Sequence, residues 1–329
     1  MRRRDFITLL GIAALARPLK ARAQQGGGMR RIGVLFGLTE SDPETRDRME
    51  ALREGLEKLG WTPGRNIEMD YRFGGGDGER LRAHAAELVR LKPDVLMASA
   101  STALAALQQA THDIPIVFAQ VTDPVGGGIV ASLARPGGNI TGFTQHEYSL
   151  GVKWLELLKE LAPRVKRVAV IYDADNPAAA GYLATITSSA ATFQVQLTSF
   201  AVRDTAEIER AITATATDAD GGVIVLPGSA PSARRDRIIA RAAQHRLPAV
   251  FAFRYWVVSG GLASYGIDNI DLYRRAASYI DRILKGEKAA ELPAQHATKF
   301  HLAINLKTAK ALGLDPPITL LARTDEVIE

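Results

Sequence analysis

The chain has no cysteine. That excludes disulfides, thiolate metal ligands, a thiol nucleophile and a cysteine-linked lipid anchor. With 329 residues it is long enough to bury an adequate core without cross-links. Recognisable catalytic signatures are missing too: there is no G-x-S-x-G elbow, no H-E-x-x-H and no G-x-x-x-x-G-K-[ST]. The six histidines, at 84, 112, 146, 245, 296 and 301, show no close ligand spacing. The run Gly74-Gly75-Gly76-Asp77-Gly78 lacks dinucleotide-binding spacing and reads as a loop entering a helix. No cofactor and no metal are therefore expected. No apolar run approaches the roughly 20 residues that span a bilayer.

What is present begins with an address. Met1-Arg2-Arg3-Arg4-Asp5-Phe6 leads into an almost wholly apolar stretch over 8–16, and Ala21-Arg22-Ala23 places small residues before Gln24. These are the positive region, the short apolar region and the A-x-A site of a signal peptide. The paired arginines are of the twin-arginine type, which exports folded proteins. We expect residues 1–23 to be removed by cleavage before Gln24, 24–29 to form a linker, and the mature protein to work in the periplasm. The leader also accounts for the formal charge of +5. Taking its six basic residues and one acid from the totals of 41 and 36 leaves 35 of each. The balanced remainder removes the main argument for nucleic acid as a partner.

The rest of the chain reads twice. Arg30-Arg31-Ile32-Gly33-Val34-Leu35-Phe36 resembles Lys166-Arg167-Val168-Ala169-Val170-Ile171-Tyr172, and Ile114-Pro115-Ile116-Val117-Phe118-Ala119 is echoed by Leu247-Pro248-Ala249-Val250-Phe251-Ala252. Short apolar runs of this kind are buried parallel strands. Helical stretches alternate with them, at 47–59, 79–91 and from about 102 in one half, and at 178–191, 206–216 and from about 233 in the other. The expected fold class is α/β, with two similar Rossmann-like lobes built on parallel sheets covered by helices. Glycine-flanked strands at 138–143 and 261–266 are natural crossings between lobes, with a third near 292–304, giving a hinge of about three crossings. The lobes then comprise 30–141 plus 267–293, and 142–266 plus 294–329.

Ligands of open parallel sheets sit beyond the carboxyl ends of the strands, which selects the loops to inspect. Ser99, Ser101 and Thr102 bring hydroxyls to a helix N-terminus, where free N–H groups favour an anion such as a carboxylate; Ser101 equally suits a capping role. Asp123 either accepts hydrogen bonds from a ligand or caps a helix begun by Pro124. Asp173 is the better ligand candidate of its loop, with Asn176 the cap. Ser229 and Asp268 complete the polar set. Phe36, Tyr172 and Tyr265 are aromatic residues at strand ends, positions that serve a core or a ligand platform.

Several stretches together resemble the tryptophan/tyrosine-type group of ABC transporter substrate-binding proteins. They are the leader, Pro115-Ile116-Val117-Phe118 with Thr122-Asp123-Pro124-Val125, the segment from Ser132 to Gly142 (Ser-Leu-Ala-Arg-Pro-Gly-Gly-Asn-Ile-Thr-Gly), Gly260-Gly261-Leu262-Ala263-Ser264-Tyr265-Gly266, and Ile304-Asn305-Leu306-Lys307-Thr308-Ala309-Lys310. The resemblance implies a type I periplasmic-binding-protein fold, a solute closed between two lobes and handover to a permease. It also implies a ligand role for the Ser99–Thr102 loop, Asp123 and Tyr265. Arg254-Tyr255-Trp256-Val257-Val258 departs from the more acidic, alanine-rich stretch usual there. The expected partners are a small-molecule solute, such as an aromatic amino acid or related carboxylate, and the permease subunits of an ABC importer, met peripherally at the membrane by a monomer. Two other classes were weighed. A cytoplasmic ligand-sensing regulator needs a helix-turn-helix ahead of Arg30, for which 1–29 give no room. An exported enzyme would use Asp123 and Asp173 for acid/base chemistry. If the address is read correctly, replacing Arg3 and Arg4 together by lysine leaves the precursor unprocessed in the cytoplasm; normal processing of that variant on an immunoblot means the general secretory route.

Overall fold

The computed structural model describes residues 28–145, 147–216, 220–297 and 300–329. The leader expected over 1–23, its cleavage point and residues 24–27 of the linker lie outside the described residues. The first part of the chain runs through β1 (Arg30–Phe36), α1 (Pro43–Lys58), β2 (Ile67–Phe73), α2 (Gly78–Arg90), β3 (Val95–Ser99), α3 (Ser101–Ala110), β4 (Ile116–Val121) and β5 (Ile140–Thr144). There follow α4 (Leu150–Leu161), β6 (Arg167–Asp173), α5 (Ala179–Ser189), β7 (Gln196–Val202), α6 (Thr205–Thr215), β8 (Gly221–Val225), α7 (Ser229–Ser232), α8 (Arg235–Gln244), β9 (Ala249–Phe251), α9 (Arg254–Val258) and β10 (Ala263–Ile267). The last part holds α10 (Asn269–Leu284), β11 (Phe300–Asn305), α11 (Leu306–Ala311), α12 (Ile318–Leu321) and β12 (Glu326–Ile328).

Strand order carries the repeat. The first sheet is β2-β1-β3-β4-β5, parallel throughout. The second is β12-β11-β10-β9-β8-β6-β7, in which only β10 and β11 pair antiparallel. Its stretch β7-β6-β8-β9-β10 reproduces the order of the first sheet. Helices cover both faces, so β1, β3 and β4 are apolar on both sides and read as continuous runs. Local signals set the helix starts. The carboxylates of Asp42, Asp77, Asp204 and Asp268 accept from backbone N–H groups two or three residues on, and Pro43 takes a first-turn position where no N–H is needed.

The chain passes between the sheets three times: from β5 to α4, from β10 to α10, and from α10 to β11. α10 returns to the first sheet, where Tyr273, Ala276, Ala277 and Ile280 pack with Ala51, Leu52 and Leu56 of α1. The first and third passages run side by side. Thr144 N–H donates to the Gln295 carbonyl (2.8 Å), Gln295 N–H to that of Gly142 (2.9 Å), and the Thr141 hydroxyl to that of Leu292 (2.7 Å).

One local expectation fails. No helix begins at Pro124; the chain makes turns there, with the Gly127 N–H bonded back to the Asp123 carbonyl at 2.9 Å. Three consecutive glycines, Gly126 to Gly128, carry too high a backbone-entropy cost to propagate a helix. The helix expected from about 233 is α8, with the short α7 ahead of it. Glycine is required at one crossing. Gly142 lies at φ +152° in β5, and a Cβ there would stand 2.1 Å from the Phe118 carbonyl oxygen, a backbone atom that has no room to move within β4. Gly142→Ala should therefore lower stability by about 2–3 kcal/mol, the scale of a strained backbone site. Urea unfolding measures this, and an unchanged midpoint would contradict it.

Candidate functional site

The carboxyl ends of the two sheets face one another, and the loops leaving them enclose a cavity of about 30 Å³. Each sheet reverses its order of construction between its first and third strands, β1 and β3 in one and β6 and β8 in the other, the switch point where such sheets bind ligands. From the first lobe come the turn after β1 (Gly37, Leu38), the loop after β3 (Ser99 to Thr102), Gln120 and Gln145. From the second come Asn176, the loop Pro227 to Ser229, Ser232, Phe253 and Tyr255.

The hydroxyl loop is held under strain. Ala100 has φ +81° and ψ 162°, a region that is nearly exclusive to glycine and costs a side-chain-bearing residue about 1–3 kcal/mol. Its N–H bonds the Ala119 carbonyl at 3.0 Å, and its carbonyl accepts from Leu104. Those bonds fix the turn that opens α3 with Ser101 and Thr102 buried at the cavity. Gln120, the penultimate residue of β4 (φ +63°), and Asp123 beyond that strand (φ +30°) add further positive-φ positions.

Hydrogen bonds tie the lobes together across the cleft. Thr102 Oγ1 and Ser229 Oγ are 2.7 Å apart. The Thr122 hydroxyl accepts from Gln145 Nε2 (2.9 Å) and meets the Tyr182 hydroxyl at 3.1 Å. Within the first lobe, Tyr273 of α10 donates to Gln120 Oε1 at 3.0 Å, so the Ser99 hydroxyl, 2.5 Å away, donates to Tyr273. At the rim Arg235 pairs with Asp42 at 2.6 Å.

Arg48 supplies the charge. It projects from α1, is only 3% exposed, and its guanidinium carbon lies 5.7 Å from the Tyr273 ring centre and 5.8 Å from that of Tyr255, one ring from each lobe. Such cation–π contacts contribute about 0.5–2 kcal/mol each. Glu44, one helical turn back, reaches its Nη2 at 3.4 Å, and burial pushes the Glu44 carboxyl pKa up. The Arg48 Nε and the Gln145 Oε1 are buried without hydrogen-bond partners. A buried donor on a cation and a buried acceptor, both at the cavity, are what a polar ligand would satisfy. Among the described residues no three His, Cys, Asp or Glu side chains gather as a metal site.

Of the residues singled out from sequence, Ser99, Ser101, Thr102 and Ser229 come together at this cavity. Asp173 stands one layer behind it: its carboxylate accepts from Asp175 N–H (3.0 Å) and Ala230 N–H (2.9 Å), so it positions the Ser229 loop, and burial pushes its pKa up. Asp123 turns its carboxylate onto the Gly126 N–H at 2.8 Å and does not line the cavity. Phe36 is fully buried in the first core, stacked with Tyr71, Phe73 and Tyr273. Tyr172 packs half-buried on the second core. Tyr265 points away from the cleft, because its place on β10 stacks it on Phe300 of the neighbouring strand at 5.8 Å, in a separate hollow with Lys153 and Arg323. Asp268 is exposed and caps α10 through the Ile270 N–H (3.0 Å). Sequence reasoning missed Arg48, Gln120, Gln145, Asn176, Ser232 and Tyr255. Gln145 follows directly after β5 and Gln120 is the penultimate residue of β4, so both were open to the same strand-end rule. Arg48 and Tyr255 carry no such signal, since each reaches the cavity from within a helix.

A family model described as ABC transporter substrate binding protein matches residues 38–328. The chain belongs to this family. It is 29% identical over 262 residues to a tyrosine-binding protein of Clostridioides difficile, covering 79% of this chain and 75% of the relative. Among solved structures it resembles a conserved domain protein from Vibrio cholerae (30% identity, 91% of this chain and 100% of that one, TM-score 0.83). It also resembles an ABC domain in complex with L-Trp from Streptococcus pneumonia (27% identity, 92% and 100%, TM-score 0.82). The substrate-binding family and its two mostly parallel sheets make the architecture a type I periplasmic-binding-protein fold. No helix among the described residues is long and apolar enough to cross a membrane.

Proposed function

We propose that the protein is the periplasmic receptor of an ABC importer, closing its two lobes around a small carboxylate-bearing solute and presenting the closed form to a permease, without turning the solute over. The observation that carries this is the polar lining shared by both lobes: Thr102 and Ser229 meet at 2.7 Å, beside a buried guanidinium whose Nε has no partner. Each lobe supplies only half of that lining, so the solute's full set of contacts exists only when the lobes are together, and binding then favours closure by mass action. The N-terminal N–H groups of α3, the hydroxyls of Ser101, Thr102 and Ser229 and the Arg48 cation suit a carboxylate. Relatives that bind tyrosine or L-Trp support a carboxylate-bearing solute with an aromatic body. Enzymatic use of Asp123 and Asp173 finds no support in the geometry, because both carboxylates are engaged by backbone N–H groups and neither lines the cavity.

A thermal-shift screen over aromatic amino acids, aryl and aliphatic acids, purines and sugars should find a solute that raises the melting temperature, since a ligand bound only by the folded state stabilises it. X-ray scattering of the same mixture should then show a smaller radius of gyration. Identical scattering profiles with and without that saturating solute would contradict lobe closure.

A further inference from the structure

We infer that the solute is a carboxylate that carries no amine: a monoanion with an apolar or aryl body, as opposed to a zwitterionic amino acid. This rests on the receptor reading and narrows its ligand class. The inference comes from the distribution of charge around the cavity. Arg48 is the one charged side chain among the described residues lining it; every other polar group there is a hydroxyl, an amide or backbone. No aspartate or glutamate takes part in the lining.

The acids nearby are engaged elsewhere. Glu44 faces Arg48 through Nη2. Asp42 caps α1 through the Glu44 N–H and pairs with Arg235. Asp173 is held by the N–H groups of Asp175 and Ala230, and Asp123 by that of Gly126. An amino-acid ammonium brought into this cleft would lose its water, meet no counter-charge and share a small space with a guanidinium. An unpaired buried charge is among the costliest groups a protein can enclose. A carboxylate finds the reverse: a cation with an unpartnered Nε, the Thr102 and Ser229 hydroxyls, and the N-terminus of a ten-residue helix. The unpartnered Gln145 Oε1 is a neutral acceptor that suits a ligand hydroxyl. At about 30 Å³ the cavity as it stands admits little more than a water, so an aryl body needs the lobes to part around it, where Leu38, Phe253 and Tyr255 supply apolar surface.

Isothermal titration of the purified protein with pairs that differ only at the amine tests this directly. The probes are L-phenylalanine against 3-phenyllactate and 3-phenylpropionate, and L-tryptophan against indole-3-propionate. We expect at least one amine-free acid to bind ten-fold or more tightly than its amino acid. Arg48→Gln should weaken that acid at least ten-fold, while Arg48→Lys, which keeps the charge, retains most of the affinity. Equal or tighter binding of the amino acids overturns the inference, as does an Arg48→Gln protein that melts cooperatively and binds the acid undiminished. Binding of a neutral sugar with no binding of either series also overturns it, and in that case the receptor reading stands. If no solute of any class narrows the scattering profile, the receptor reading itself falls.

Discussion

A guanidinium buried between two lobes sets the terms for everything around it. Arg48 is charged at any physiological pH and almost wholly excluded from water, so its five donors must be met by protein or by ligand. The protein meets them only in part. Tyr273 and Tyr255 face the cation from opposite lobes, Glu44 approaches one terminal nitrogen, and Nε is left without a partner. That incomplete satisfaction, at a place where both sheets end, leaves a buried cationic donor open at the cleft.

The strained loops serve the same end. Ala100, Gln120 and Asp123 adopt positive φ at the carboxyl ends of β3 and β4, at the edge of the sheet that faces the cleft. Such conformations persist only where surrounding bonds over-determine them, as the Ala119 carbonyl does for Ala100. Behind the second lobe's loop, Asp173 plays a matching part by gripping the Ala230 N–H, so Ser229 presents its hydroxyl to Thr102 from a fixed support. Both halves of the site therefore rest on fixed local supports.

The architecture was legible because buried parallel strands leave a strong trace. The matching runs at Ile32 and Val168, and at Ile116 and Val250, mark equivalent strands in sheets of the same order. The serine and threonine loop was legible for a topological reason, since ligands gather at the ends of such strands. Side-chain direction was not. Successive strand residues face opposite ways, so Phe36 and Tyr265 at strand ends turned into a core and an outer hollow. Arg48, four residues after Glu44, has the spacing of an ordinary surface ion pair on a helix. Only the placement of α1 beside the second lobe buries it, and that is a tertiary fact absent from any local pattern.

The central claim is that the lobes close over the solute and bring Thr102 against Ser229. The absence of cysteine allows a direct measurement: Thr102→Cys with Ser229→Cys introduces the only two thiols in the chain. The reduced protein lacks two of the hydroxyls that face the solute, so its own affinity, weaker than that of the native chain, is the baseline. Oxidation should join the lobes, lower the radius of gyration without any solute, and block entry of new solute. An oxidised, cross-linked protein that takes up solute at unchanged rate and affinity would contradict the account.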